Sequence, residues 1–103
     1  MKQTLQRIIR MGREDAKPLY ALTLKLMEET GELGEAVNHH LGHLPNKKMK
    51  EKIEGEVADV VQCAIATLAK AYPDRSVDVI YAILKDQLNA KTDKWQGVID
   101  QQK

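Results

Sequence analysis

The residues with the most chemistry in them form two short groups of acids. The stretch "LMEETGELGEAV", residues 26–37, holds Glu28, Glu29, Glu32 and Glu35, and "EVAD" later supplies Glu56 and Asp59. On an α-helix, which advances about 100° per residue, Glu29 falls at the edge of the apolar stripe formed by Leu22, Leu26, Leu33 and Val37. Glu56 holds the same position beside Ile53, Val57, Val60, Ala64 and Leu68. In each case a second acid follows three residues on, about 60° to one side. If the two helices pack antiparallel through these stripes, Glu29/Glu32 and Glu56/Asp59 converge.

Four convergent carboxylates do not all stay ionised without a cation, because burial and mutual repulsion both penalise the charged form. A divalent ion resolves the conflict, and an all-oxygen donor set favours Mg²⁺, with Mn²⁺ as its substitute, over Zn²⁺. A di-iron bundle would need Glu-x-x-His on two helices. His39, His40 and His43 do not stand three residues after a Glu, and as loop or helix-end residues they suit a solvated surface. Glu28 and Glu35 alone would also suit a solvated helix face.

The elements that must position these acids are helical. The patterning predicts four helices, over about 2–12, 17–40, 46–71 and 76–95, with a frayed tail "QGVIDQQK". Pro18 suits a first turn, and Asp74 or Ser76 can cap the fourth helix. Short connections favour antiparallel neighbours, so the expected fold is all-α, an antiparallel four-helix bundle-like domain spanning 1–103 as one unit. The third helix, "VADVVQCAIATLA", is apolar nearly all round, which predicts a homo-oligomer with this helix near the interface. A central helix in a monomer is the alternative. Gly31 and Gly34 fall on the side of the second helix away from Glu29, where they would admit a close-packed helix from a second subunit.

Composition removes other classes. Sixteen Lys plus Arg against 15 Asp plus Glu leave a net charge of +1, which is no footprint for a nucleic acid polymer. One cysteine, Cys63, excludes an internal disulfide and reads as a small buried hydrophobe. No apolar run is long enough to span a membrane, and "MKQTLQRIIRMGRED" lacks a signal-peptide core, so the expected location is cytoplasmic.

Together "EETGE" at 28–32 and "EVAD" at 56–59 resemble the EExxE…ExxD signature of the MazG-like all-α nucleotide pyrophosphohydrolases. "KLM" at 25–27 and the Asn-x-Lys element "NAK" at 89–91 are similar to that family too, and the likeness covers roughly residues 17–95. The resemblance implies hydrolysis of a (d)NTP between the α and β phosphates, giving the monophosphate and pyrophosphate. It implies that Glu29, Glu32, Glu56 and Asp59 hold Mg²⁺, and that Glu28 orients or activates the attacking water or helps hold another ion. It also implies that Lys52, Asn89 and Lys91 contact substrate. The chain departs from the family after "NAK": Thr92, Asp93, Lys94 and Trp95 stand where relatives often carry an aromatic residue and arginines. A lysine point charge does not replace an arginine fork, and Trp95 suits either base stacking or helix-end packing. Lys91 is in line with Ile80, Leu84 and Leu88, so its stem is expected to lie on the bundle.

The alternatives within the superfamily are a dUTPase/dCTPase type and a phosphoribosyl-ATP pyrophosphohydrolase. The latter's Tyr-His after the second acid pair is replaced here by Val60, Val61 and Gln62. A non-catalytic helical interaction module is a third reading, but it would have no need of four convergent acids. The oligomer is expected to be a homodimer or homotetramer.

Overall fold

The computed structural model describes residues 1–49 and 52–103. It is all-α, with four helices and no strand among the described residues: α1 Lys2–Glu14, α2 Leu19–His40, α3 Ile53–Ala71 and α4 Val77–Gln102. No described helix is long and apolar enough to cross a membrane.

The core forms where α1 lies on α3. Ile9, Ile65, Ala69 and Ile80 are buried together, with Leu5, Ile8, Leu68, Val77, Tyr81 and Leu84 packed round them. Polar ties close the same end. Arg13 Nη2 donates to the Tyr72 carbonyl at 2.9 Å, and Lys70 Nζ donates to the carbonyls of Arg13 and Asp15. Gln6 Nε2 donates to Asp78 Oδ1 at 2.9 Å, joining α1 to the start of α4.

Gly12 does not end α1 as expected but lies buried inside it, and the helix runs on to Glu14. A Cβ at Gly12 would sit 2.6 Å from Ala66 Cα, so the missing side chain is what lets α1 approach α3. The obstacle is backbone and cannot swing aside. Gly12→Ala is therefore expected to cost about 1–3 kcal/mol, the scale of core overpacking. The thermal midpoint should fall by roughly 4–8 °C per kcal/mol for a domain of this size. An unchanged melting curve would contradict the close approach.

The α2–α3 pair runs antiparallel. Leu22 and Ala66 share one cleft, Ala36 and Ile53 share another, and Glu29 meets Glu56 between them. α3 packs on all three other helices, yet Val57 and Val61 remain 43% exposed. Expected and observed boundaries differ in three places. Pro18 is the N-cap of α2 and Leu19 its first residue. The third helix was expected from 46, but 46–49 are not helical and α3 starts at Ile53; residues 50 and 51 lie outside the described residues. The segment "NKKM" has good helix formers but no apolar stripe to bury, and Lys47 pairs instead with Glu35 at 2.8 Å. The tail is not frayed: α4 continues to Gln102, with Gln96 Nε2 bonding Asp100 Oδ1 one turn on. Ser76 caps α4 as expected, its Oγ accepting from the Val79 N–H at 3.1 Å.

α4 departs furthest from a closed four-helix bundle. Its first turns meet α1 and α3, but among the described residues it does not touch α2. Residues 85–98 are exposed throughout, so the helix overhangs the rest of the chain. The radius of gyration, 16.1 Å, exceeds the about 13 Å usual for a compact domain of 100 residues.

Candidate metal centre

On α2 the buried residues are Leu22, Glu29 and Ala36, spaced by seven. That spacing returns to nearly the same side after two turns, so Glu29 stands in the middle of the column facing α3. Glu56 is buried on the facing helix. Glu29, Glu32 and Glu56 each offer a carboxylate oxygen, and the three oxygens lie within 4.8 Å of one another. Glu29 is 7% exposed and Glu56 5%, and the Oε2 atom of each is buried without a hydrogen-bond partner among the described residues.

One lysine answers these acids from the same helix. Lys25 Nζ lies 3.1 Å from Glu29 Oε1 and 3.7 Å from Glu28 Oε1. Its pKa is raised, first by the hydrogen bond to Glu29 and then by the charges of Glu28 and Glu29. A single ammonium does not balance the group. The Glu32 carboxyl is pushed above its ordinary value by desolvation first, and then by the charges of Glu29, Glu56 and Glu28. Orphaned, buried carboxylate oxygens beside a third carboxylate whose ionised form is penalised fit a small hard cation that takes oxygen ligands.

The remaining sequence-predicted residues fall in different places. Asp59 is half-buried one turn beyond Glu56, outside the three-acid group. Glu28 is on the exposed flank and paired with Lys25. Lys52 is the exposed N-cap of α3 and lines a cleft beside the acids. Asn89 and Lys91 sit on the overhanging part of α4, with Leu88 54% and Trp95 67% exposed. The stem of Lys91 thus does not lie on the bundle as expected, because α4 has left it by that point. Cys63 is half-buried, and burial followed by the Glu29 charge pushes its thiol pKa up, which disfavours the reactive thiolate.

Lys25 as a counter-ion escaped the reading of the acids by angle. Its signal was present, since it stands three and four residues before Glu28 and Glu29, the spacing at which helix side chains pair. Compared with protein-family models, with curated proteins and with solved structures, the chain matches none.

Proposed function

We propose that the chain is a Mg²⁺-dependent hydrolase of nucleoside triphosphates, cleaving between the α and β phosphates to give a nucleoside monophosphate and pyrophosphate. The observation that carries this is the group of Glu29, Glu32 and Glu56, with two buried oxygens that have no hydrogen-bond partner among the described residues. The sequence likeness to the EExxE…ExxD pattern supplies the reaction class. Glu29, Glu32 and Glu56 would hold the ion, with Asp59 one turn away as a fourth ligand. When bound there, Mg²⁺ supplies charge neutralisation of phosphoryl oxygens and Lewis-acid activation of water. Lys25 pairs with both Glu28 and Glu29, and Glu28, exposed on the flank beside them, would take the proton from an attacking water. The test is incubation with a panel of NTPs and dNTPs plus Mg²⁺ and identification of the products. Monophosphate and pyrophosphate are expected, whereas diphosphate and orthophosphate would refute the cleavage position. No turnover together with no Mg²⁺ binding would refute the enzyme.

The proposal includes a homo-oligomer. Tyr20, Leu24 and Met27 are 72%, 60% and 66% exposed, and with Gly31 and Gly34 they follow the alternating four- and three-residue spacing of a helix-packing seam. Nothing lies within 4 Å of a Cβ built at either glycine. A second copy is the occupant this face suits, because exposed apolar side chains flanking two open glycines let an identical helix pack closely against it. Gly31→Leu is expected to shift the assembly towards monomer in sedimentation at concentrations where Mg²⁺ still binds. Loss of Mg²⁺ binding without any change of assembly would refute this division of α2.

A further inference from the structure

Two clefts open along the α2–α3 seam, one on either side of the three acids. The cleft towards α1, about 460 Å³, has Met11, Leu22, Cys63 and Ala66 in its lining, and its charges balance, with Lys17 and Lys25 against Glu14 and Asp15. The cleft towards the α2–α3 connection, about 730 Å³, is lined by His39, His40, Lys48 and Lys52, with Glu54 as its one carboxylate among the described residues. It begins one turn after Glu32, at Ala36, and one turn before Glu56, at Lys52.

We propose that the cleft at the connection seats the terminal phosphates of a nucleoside triphosphate. The substrate then lies along the seam with its pyrophosphate end towards the connection and its nucleoside end towards α1. This rests on the triphosphate reading above and adds His39 and Lys48 as phosphate-binding residues. Among the described residues neither Lys48 nor Lys52 has a carboxylate within ion-pair distance, whereas the adjacent Lys47 is held by Glu35. Two ammonium groups without a carboxylate partner among the described residues and two imidazoles in one cleft suit an oxyanion with several acceptor oxygens. α3 also starts at this cleft with no capping side chain among the described residues, so the positive end of the helix adds to the same field, offset in part by Glu54 and Glu56 in its first turn. The opposite cleft, whose charges balance and whose lining includes Met11, Leu22, Cys63 and Ala66, suits the uncharged part of a nucleotide. An ion at the acids, about one helical turn from either cleft, would bridge the two halves.

The test uses inorganic pyrophosphate as the probe in titration calorimetry of the full chain, with and without Mg²⁺. Wild type is expected to bind pyrophosphate when Mg²⁺ is present. Lys48→Gln should weaken that binding about tenfold, the scale of one charge-assisted hydrogen bond, and His39→Gln/Lys48→Gln should weaken it further. Both variants should keep the wild-type affinity for Mg²⁺ alone and the wild-type melting temperature. Lys17→Gln, which removes the same charge from the other cleft, should leave pyrophosphate binding unchanged. An equal loss from Lys17→Gln and Lys48→Gln would overturn the proposed orientation. Pyrophosphate affinity unaffected by the double variant would overturn the site, even if nucleotides are hydrolysed. Binding that depends on His39 and Lys48 without turnover of any nucleotide would support the phosphate site and refute the hydrolase.

Discussion

Glu56→Gln is expected to lower Mg²⁺-dependent turnover by about a thousandfold, since several kcal/mol of charge stabilisation are lost at about 1.4 kcal/mol per factor of ten. The same substitution is expected to raise the melting temperature of the metal-free protein. Among the described residues Glu56 Oε2 is buried without a partner, and leaving a polar atom so costs about 1–3 kcal/mol. An amide of the same shape removes one negative charge from the group and gives it two N–H donors, within reach of the Glu29 and Glu32 oxygens. Recovering even one kcal/mol would raise the midpoint by roughly 4–8 °C. Activity and stability therefore move in opposite directions, the signature of residues arranged for a ligand and not for the fold. Glu32→Gln should behave alike, since desolvation first and then the charges of Glu29, Glu56 and Glu28 penalise its ionised form. Asp59→Asn tests the fourth ligand, with loss of turnover expected. A Glu56→Gln protein that is less stable and equally active would show that the carboxylate is structural.

The spacing of the acids was enough to bring Glu29, Glu32 and Glu56 to one place, because helix register fixes which side of a helix a residue occupies. Asp59 has the right register as well, but its side chain is one methylene shorter than that of Glu, and from the flank of α3 it stays outside the group. Register sets the face; the reach of the side chain and the cation that would draw it in are not written in the period. The start of α3 was misplaced because "NKKM" has helix propensity without a surface to bury, and propensity alone does not hold a short helix in water. The overhang of α4 was illegible for the opposite reason. Leu84 and Leu88 continue the stripe of Ile80, but Leu84 is half-buried and Leu88 mostly exposed. A stripe records that a face is to be covered and is silent on whether the same chain covers it. The basic cleft was missed because His39, His40, Lys48 and Lys52 belong to a helix end and a connection, where no periodicity relates them.

Mg²⁺ is expected to stabilise the protein by an amount that grows as the pH rises from about 4.5 towards neutrality. Glu32 has its folded pKa above the ordinary 4.5, so in the window between those two values the native protein holds more protons than the unfolded chain. Stability rises with pH only where the unfolded state binds more protons, so here the metal-free protein loses stability as pH rises through the window. Lys25 has a raised pKa and stays charged throughout, adding nothing to the slope. Asp15 acts with the opposite sign and elsewhere: the Lys17 N–H lowers its pKa, so its contribution is lost only as pH falls below 3.8. A divalent ion held by the three acids would offset the desolvation and the mutual repulsion that penalise the ionised Glu32 carboxylate. At a hundred times its dissociation constant a ligand adds about 2.7 kcal/mol. For a domain of this size that corresponds to a gain of roughly 10 °C or more at neutral pH, and a smaller gain as the pH falls towards 4.5. Melting curves with Mg²⁺, with EDTA, and with Na⁺ at matched ionic strength measure the gap. A gap independent of pH, or one that Na⁺ reproduces, would place the stabilising ion away from Glu32 and refute the three-acid site.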